Sequence, residues 1–413
     1  MKYKVIVLSI ILLLIILLVI GFIYWQNNPS FFSEQNLLNN IGNMVNEIKP
    51  DVNTQNNNEG NAIENSNHNA NNTNSNTIQV AIEDPEIPEY DRYFELPLNG
   101  STGYASITMN MLKSPKSSTV VKKLSAGDGF QILEEDGDWW KIKVDKKTGY
   151  VKHKYCMVNL PDIIPSIVYD DTNSYQSLFT SSYTAIPNVT GEQLYDVLEY
   201  NERLEKEEYR MPIIYAMAKK IMKAQKAALK DGYSLKIYET FRPYETQKKV
   251  SSNLKELMEN NKDVYNGIYG GGWSEDWFIA QSISNHQRGV AMDVSLVKVE
   301  DTQNKTTGNY KYIEITQYIE EEMPTKMHEL SDKAVTFKYG VQTSSKTAWK
   351  SAPLSNSMTD GAKRLQKYCT KAGLTPLSSE WWHFNDLDAK KEIGNNYSTG
   401  RYYIEDGFSV IPK

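Results

Sequence analysis

The chain has 413 residues, enough for two or three domains that each bury a core of their own. Its formal net charge of −6 provides no excess of Lys and Arg, so we predict that it does not bind nucleic acid. With 2 cysteines and 5 histidines, the sequence excludes a dense disulfide framework and a cysteine zinc knuckle, and it offers few ways to assemble an imidazole metal site.

The amino terminus carries a long apolar run from Val5 to Trp25. About 20 apolar residues span the hydrocarbon core of a bilayer, and this run ends in bulky side chains rather than in the small ones of a cleavage site. We therefore predict that it is an uncleaved transmembrane signal anchor. Because Lys2 and Lys4 precede it, the positive-inside rule places residues 1–4 in the cytosol and the rest of the chain outside the cell membrane.

Residues 26–95 are predicted to form a juxtamembrane segment and a disordered linker. Apolar residues in 33–48 recur at helical spacing, which predicts a short amphipathic helix that either lies on the lipid surface or forms a weak self-association contact. In 51–77 the composition is mostly Asn, Ser, Thr and Glu, with almost nothing to bury. We therefore expect the folded part of the chain on a flexible tether close to the membrane.

A small all-β domain is predicted over residues 98–160. Short runs of strand-forming residues alternate with turns at Gly127 and Gly137. The order of these runs resembles the bacterial SH3-like domains of cell-wall enzymes, in which the barrel usually binds the wall or positions the catalytic domain. Trp139 and Trp140 should point to opposite faces of a strand, so either one contacts a wall ligand or both pack between domains.

The carboxyl-terminal part, residues 162–413, mixes both kinds of element. Periodicity predicts helices at 212–230 and 362–372, and alternation predicts a strand at 235–238. The expected fold class is α+β with an antiparallel sheet, preceded by the barrel, the disordered linker and one transmembrane helix.

Two histidines of this part lie in dense polar and aromatic clusters. Asp293 follows His286, with Gly289 allowing a turn between them, and His383 lies one helical turn or less after Glu380. A catalytic zinc takes three protein ligands from imidazole and carboxylate groups and keeps one position open for water. We therefore predict a Zn²⁺ site formed by His286, Asp293 and His383. Since zinc lowers the pKa of bound water to about 7, Glu380 is placed to act as the general base of amide hydrolysis.

These clusters, together with the run Glu239-Thr-Phe-Arg242-Pro243, resemble the zinc D-alanyl-D-alanine peptidases related to VanX and VanY. The similarity extends from about residue 167 to the carboxyl terminus and is closer to the dipeptidase branch. It implies the same three zinc ligands, Glu380 as the catalytic base, and Arg242 as the residue that polarises the scissile carbonyl. The alternative for Arg242 is a guanidinium that only satisfies local backbone. Ser284 either contacts substrate or caps a turn.

The sequence departs from that family at two places. Glu239 stands where the dipeptidase branch commonly has Asp, and no acidic Phe-Asp pattern occurs near Met327 and His328. Because the family's acidic site helps to hold the free amino terminus of the substrate, we predict a preference for D-alanine-terminated peptides longer than two residues. The polar run after His328 predicts a surface helix rather than a fourth metal ligand. Residues 265–277 are predicted to form either a mobile lip over the cleft or an ordered loop.

The predicted function is that of a membrane-anchored zinc metallopeptidase with an extracytoplasmic catalytic domain. Its substrates would be D-alanine-containing peptidoglycan stem peptides, cleaved as by a carboxypeptidase or a dipeptidase. One alternative is an endopeptidase that cuts peptidoglycan cross-links. Another is a non-catalytic scaffold that binds the cell wall, and the retention of every ligand, the base and Arg242 argues against it.

Overall fold

The computed structural model describes residues 94–412 of the chain. Within this range no helix combines the length and the apolar composition that are needed to cross a bilayer. The predicted signal anchor, juxtamembrane helix and tether lie outside the described residues.

In chain order, the strands of the described residues are β1 (Thr102–Ala105), β2 (Met109–Leu112), β3 (Val120–Leu124), β4 (Gly129–Asp136), β5 (Trp139–Val144), β6 (Lys147–Lys152), β7 (Cys156–Asn159), β8 (Val168–Tyr169), β9 (Thr180–Ser181), β10 (Thr184–Ala185), β11 (Leu198–Asn201), β12 (Lys206–Tyr209), β13 (Pro212–Ile214), β14 (Tyr233–Glu239), β15 (Ala291–Thr307), β16 (Tyr310–Glu320), β17 (Thr375–Pro376) and β18 (His383–Asn385). The α-helices are α1 (Tyr215–Lys230), α2 (Tyr244–Asn260), α3 (Lys262–Tyr269), α4 (Glu275–Phe278), α5 (Asp360–Lys371) and α6 (Leu387–Ile393).

The first large sheet contains the predicted barrel strands. Its order is β13-β7-β1-β4-β5-β6-β2-β3, and every pairing in it is antiparallel. The turn between β4 and β5 lies at Gly137, as the sequence predicts. Gly137 adopts φ +57°, a conformation that suits a two-residue hairpin loop. The alternating strand pattern thus produces the small all-β domain that it predicts.

The barrel is joined to the carboxyl-terminal part by a shared strand. The periodicity predicts that Pro212–Ile214 begin a helix, but they form β13, which pairs with β7 and places Ile213 opposite Val158. Helix α1 therefore starts only at Tyr215, and it ends before Gly232, whose φ of +81° terminates the helix as predicted.

The two adjacent tryptophans of β5 have different surroundings. Trp140 is fully buried, and its ring lies 4.8 Å from that of Tyr215 and 6.5 Å from that of Phe130, both with edge-on geometry. Trp139 is partly exposed, with the Lys152 ammonium 5.4 Å from its ring centroid. Trp140 packs between the barrel and α1, and Trp139 is left at the surface. The alternative in which both tryptophans pack between domains is therefore wrong, and contact of Trp139 with a wall ligand stays a prediction.

Replacing Trp140 by Ala should lower the free energy of unfolding by about 3–5 kcal/mol, because the change leaves a large cavity between the barrel and α1. The same replacement of Trp139 is the matched control and should cost less than about 1 kcal/mol. Urea unfolding followed by circular dichroism measures both. Equal losses for the two variants would contradict the described packing.

The second large sheet carries the catalytic candidates. Its order is β17-β18-β15-β14-β8, and β16 pairs with the outer half of β15. The prediction of an antiparallel sheet is correct for all pairs except β8 with β14, which run parallel. A parallel pair requires a long crossover, and the chain makes one through β9–β13 and α1.

Candidate active site

Strand register brings the predicted residues together in the middle of the second sheet. On β15, Asp293 lies opposite His383 of β18 on one side and opposite Glu239 of β14 on the other. His286 reaches the same point from the turn before β15. Gly289 makes this turn possible, because its φ is +69° and an added Cβ would lie 3.0 Å from the Met157 sulfur.

The three predicted metal ligands converge on one point. The Nε2 atom of His286 lies 3.1 Å from Nδ1 of His383 and 3.3 Å from Oδ1 of Asp293. The distance from His383 Nδ1 to the same Asp293 oxygen is 3.0 Å. Ligand atoms about 2.0 Å from a tetrahedral zinc ion are separated by about 3.3 Å. The observed triangle therefore has the size of one face of a zinc coordination tetrahedron.

The hydrogen bonds around the cluster direct lone pairs, not protons, toward that point. His286 donates from Nδ1 to the Thr240 carbonyl at 2.7 Å, and His383 donates from Nε2 to Oδ1 of Asn385 at 3.0 Å. The opposite ring nitrogens are then unprotonated, and both face the Asp293 carboxylate. Burial also lowers the pKa of His383. Three acceptors facing one another without a proton between them fit a bound divalent cation, and this donor set fits Zn²⁺.

Glu380 lies beside this triangle and is almost fully buried. Its Oε2 atom is 3.6 Å from Nδ1 of His383, and its side chain lines the same cleft. Burial raises the pKa of Glu380 well above the usual range, and the neighbouring Asp293 carboxylate raises it further. The carboxylate therefore has the raised proton affinity that a general base requires.

Arg242 contacts carboxylates rather than local backbone. Its guanidinium donates to Glu239, to Oδ2 of Asp293 at 3.1 Å and to Gln247 at 2.8 Å. The alternative of an arginine that only satisfies local backbone is therefore wrong. These hydrogen bonds hold the Arg242 guanidinium next to the predicted metal site. Arg242 also lines the cleft.

Sequence reasoning missed the residues that hold the arginine and the imidazoles in place. Glu239 accepts hydrogen bonds from Asn173 at 2.9 Å and from Tyr195 at 2.8 Å, and Asn285 donates to Asn385 at 2.7 Å. Asn173 and Tyr195 come from segments far from Arg242, so spacing along the chain gives no signal for them, whereas Asn285 and Asn385 lie within two residues of predicted ligands.

Ser284 lines the cleft and also caps the turn that carries His286. Its Oγ atom accepts a hydrogen bond from the His286 backbone N–H at 3.2 Å, and its own N–H donates to Gln287 at 2.8 Å. Turn capping, one of the two predicted alternatives, is therefore observed, and contact with substrate stays a prediction.

The surface helix predicted at His328 is wrong. This residue does not lie on a surface helix but is buried with φ +62°, and its ring stacks on Phe179 at 4.2 Å. Its Nε2 atom donates to Oδ2 of Asp293 at 3.1 Å, whereas its buried Nδ1 atom has no hydrogen-bond partner. His328 thus contacts the carboxylate oxygen that faces away from the other two imidazoles, and it lines the cleft.

The cleft has a volume of about 380 Å³ and is partly open to solvent. Residues 265–277, for which the sequence predicts a lip or an ordered loop, contribute to its walls. That segment contains the end of α3 and the start of α4, with Trp273 buried and Trp277 at the cleft. Helical turns therefore form much of this segment, and its movement as a lip stays a prediction.

Two imidazoles and a carboxylate beside a buried glutamate define the site of a metal-dependent hydrolase. A model of the D-ala-D-ala dipeptidase family matches residues 177–402, more than half of the chain, and a bacterial SH3 domain model matches residues 108–156. No curated protein sequence matches the chain. The chain belongs to the D-ala-D-ala dipeptidase family, with the SH3-like domain preceding the peptidase domain, and the predicted resemblance is confirmed. This membership supports a metallopeptidase, and the family is typically zinc-dependent.

Proposed function

We propose that this protein is a zinc carboxypeptidase that removes the terminal D-alanine from peptidoglycan stem peptides. The observation that carries the proposal is the triangle of His286, Asp293 and His383, in which three lone pairs meet within the reach of Glu380. Family membership and the SH3-like domain support a substrate from peptidoglycan.

The proposed mechanism assigns one task to each side chain. His286, Asp293 and His383 would hold Zn²⁺, which supplies Lewis acidity and lowers the pKa of water to about 7. Glu380 accepts a proton from the attacking water and returns it to the nitrogen of the leaving amine. Arg242, fixed by its carboxylate contacts, donates toward the oxygen of the scissile carbonyl as negative charge develops there.

The surroundings of His328 support peptides longer than a dipeptide. The acidic residues lining the cleft are Asp276, Asp293 and Glu380, of which Asp276 is exposed and the other two belong to the catalytic cluster. The neighbouring Glu329 is buried and accepts hydrogen bonds from Thr180 at 2.7 Å and Ser331 at 2.6 Å. A substrate ammonium next to His328 would therefore be desolvated without a carboxylate partner, whereas a longer peptide presents no charge there.

A stem pentapeptide should be cleaved with a kcat/KM at least about tenfold higher than free D-Ala-D-Ala, a difference of about 1.4 kcal/mol in transition-state binding. Both constants are measured on one zinc-loaded preparation. His328→Asp should narrow the ratio, because a carboxylate at this position can pair with the ammonium of the dipeptide. A tenfold preference of the unmodified enzyme for the dipeptide would contradict this assignment.

We also propose that the folded part works outside the cell membrane, tethered by the apolar run at residues 5–25. The support is the position of Lys2 and Lys4 before that run, and a substrate that lies in the cell wall. Protease added to intact cells should then digest the SH3-like and peptidase domains. Digestion only after lysis would reverse the topology.

A further inference from the structure

One wall of the cleft carries a cation without an acidic partner. Lys390 of α6 lines the cleft, and Arg288, two residues after His286, lies close enough to influence its charge. Within residues 94–412 neither side chain forms a salt bridge. The Arg288 guanidinium packs 3.9 Å from the ring centroid of Tyr397, and its buried Nε atom has no hydrogen-bond partner.

Neighbouring cations, by contrast, have carboxylate partners. Arg242 contacts two carboxylates, and the acidic residues that precede Lys390 on its own helix are engaged elsewhere. The Lys220 ammonium forms salt bridges with the carboxylates of Asp386 at 2.6 Å and Asp388 at 2.9 Å. Burial lowers the pKa of Lys390, and Arg288 lowers it further. The wall beside Lys390 is therefore a half-buried positive surface that an anionic ligand would stabilise.

This positive surface is fixed relative to the metal triangle by the chain itself. Arg288 lies in the turn that carries His286, and Lys390 follows His383 through β18 and the first turn of α6. Asn385, which holds His383, belongs to the same segment and also lines the cleft. A group bound at Lys390 would thus lie in the same cleft as a carbonyl held at the metal site.

We propose that Lys390, with Arg288 behind it, binds the free α-carboxylate of the substrate's terminal residue and so selects peptides with a free carboxyl end. The proposal rests on the peptidase function above. The leaving residue is a single amino acid, and one residue spans about 3.3–3.6 Å. Its carboxylate must therefore lie within the cleft, close to the scissile bond.

A substrate cleaved at an internal bond would not provide a carboxylate for Lys390. In a peptide whose chain continues through the carboxyl group of the residue after the scissile bond, a neutral amide lies where the carboxylate would lie. Lys390 would then be desolvated by the substrate without gaining an opposite charge, which is unfavourable. The positive wall therefore favours carboxypeptidase over endopeptidase activity.

The test compares two peptides that differ only at the carboxyl end, one with a free terminal D-alanine and one with its amide. The full-length, zinc-loaded protein in detergent should favour the acid in kcat/KM by about 10- to 100-fold, the range expected for a hydrogen bond between charged groups. Lys390→Met should reduce this ratio to less than about threefold, mainly by raising KM for the acid. Lys391→Met, an exposed neighbour on the same helix, is the matched control and should keep the ratio.

A binding measurement separates failure of this proposal from failure of the proposed function. Calorimetry on the Glu380→Gln protein measures the binding of both peptides without cleavage, and the acid should bind more tightly than the amide. The double variant that also carries Lys390→Met should lose this preference for the acid. If neither peptide is hydrolysed but the binding preference depends on Lys390, the carboxylate site stands and the catalytic assignment fails. A preference that survives Lys390→Met in both measurements, or equal handling of acid and amide by the unmodified protein, overturns the proposal.

Discussion

Glu380→Gln is expected to reduce turnover by at least about 100-fold while leaving the bound zinc unchanged. The amide preserves the shape of the side chain but cannot accept a proton, and general base catalysis typically contributes about 10²- to 10⁴-fold. Glu380 is near the triangle but is not one of its corners, since its Oε2 atom lies 3.6 Å from Nδ1 of His383. Binding of metal and chemistry should therefore separate in this variant.

The control for this experiment is Glu392→Gln, which removes an exposed carboxylate from α6. It should keep wild-type turnover and zinc content. If the Glu380 variant retains more than about a tenth of wild-type turnover, its loss is below about 1.4 kcal/mol of barrier, and another residue must act as the base.

Replacing either ligand imidazole should remove both the metal and the activity. In His286→Ala or His383→Ala two protein ligands remain, and bound zinc after dialysis should fall below about a tenth of the wild-type amount, because a catalytic zinc site needs three. Atomic absorption measures the metal, and hydrolysis of a stem peptide measures the activity. Circular dichroism should show that the β-rich fold persists.

His153→Ala serves as the comparison, because this histidine belongs to the barrel and contacts the Gly137 carbonyl at 2.9 Å. Its zinc content should equal that of the wild type. Full zinc occupancy in both ligand variants would remove the proposed metal site, whatever their activity.

The sequence predicted the parts of the fold that depend on local pattern. Alternating strands with Gly137 at a hairpin turn specify the barrel, and a strand after Gly289 returns Asp293 toward His286. The predicted ligands come together because the register of β15 pairs Asp293 with His383. The roles of these side chains stay proposals that the zinc and turnover measurements test.

What the sequence could not predict depends on contacts between distant segments. The polar surroundings of His328 indicate an exposed helix, yet stacking on Phe179 and a hydrogen bond to Asp293 bury this residue. Pro212–Ile214 have a helical pattern but pair with β7 of the barrel. Tyr195 reaches Glu239 through a contact between segments 44 residues apart. None of these contacts leaves a local signature in the chain.

The most direct test of the central claim is mass spectrometry of purified stem pentapeptides incubated with the zinc-loaded protein, beside the Glu380→Gln variant and a chelated sample. We expect the wild type to remove a single terminal alanine and the other two samples to leave the peptide intact. An unchanged peptide with the wild type, or equal cleavage by all three samples, would contradict the assignment of a zinc carboxypeptidase.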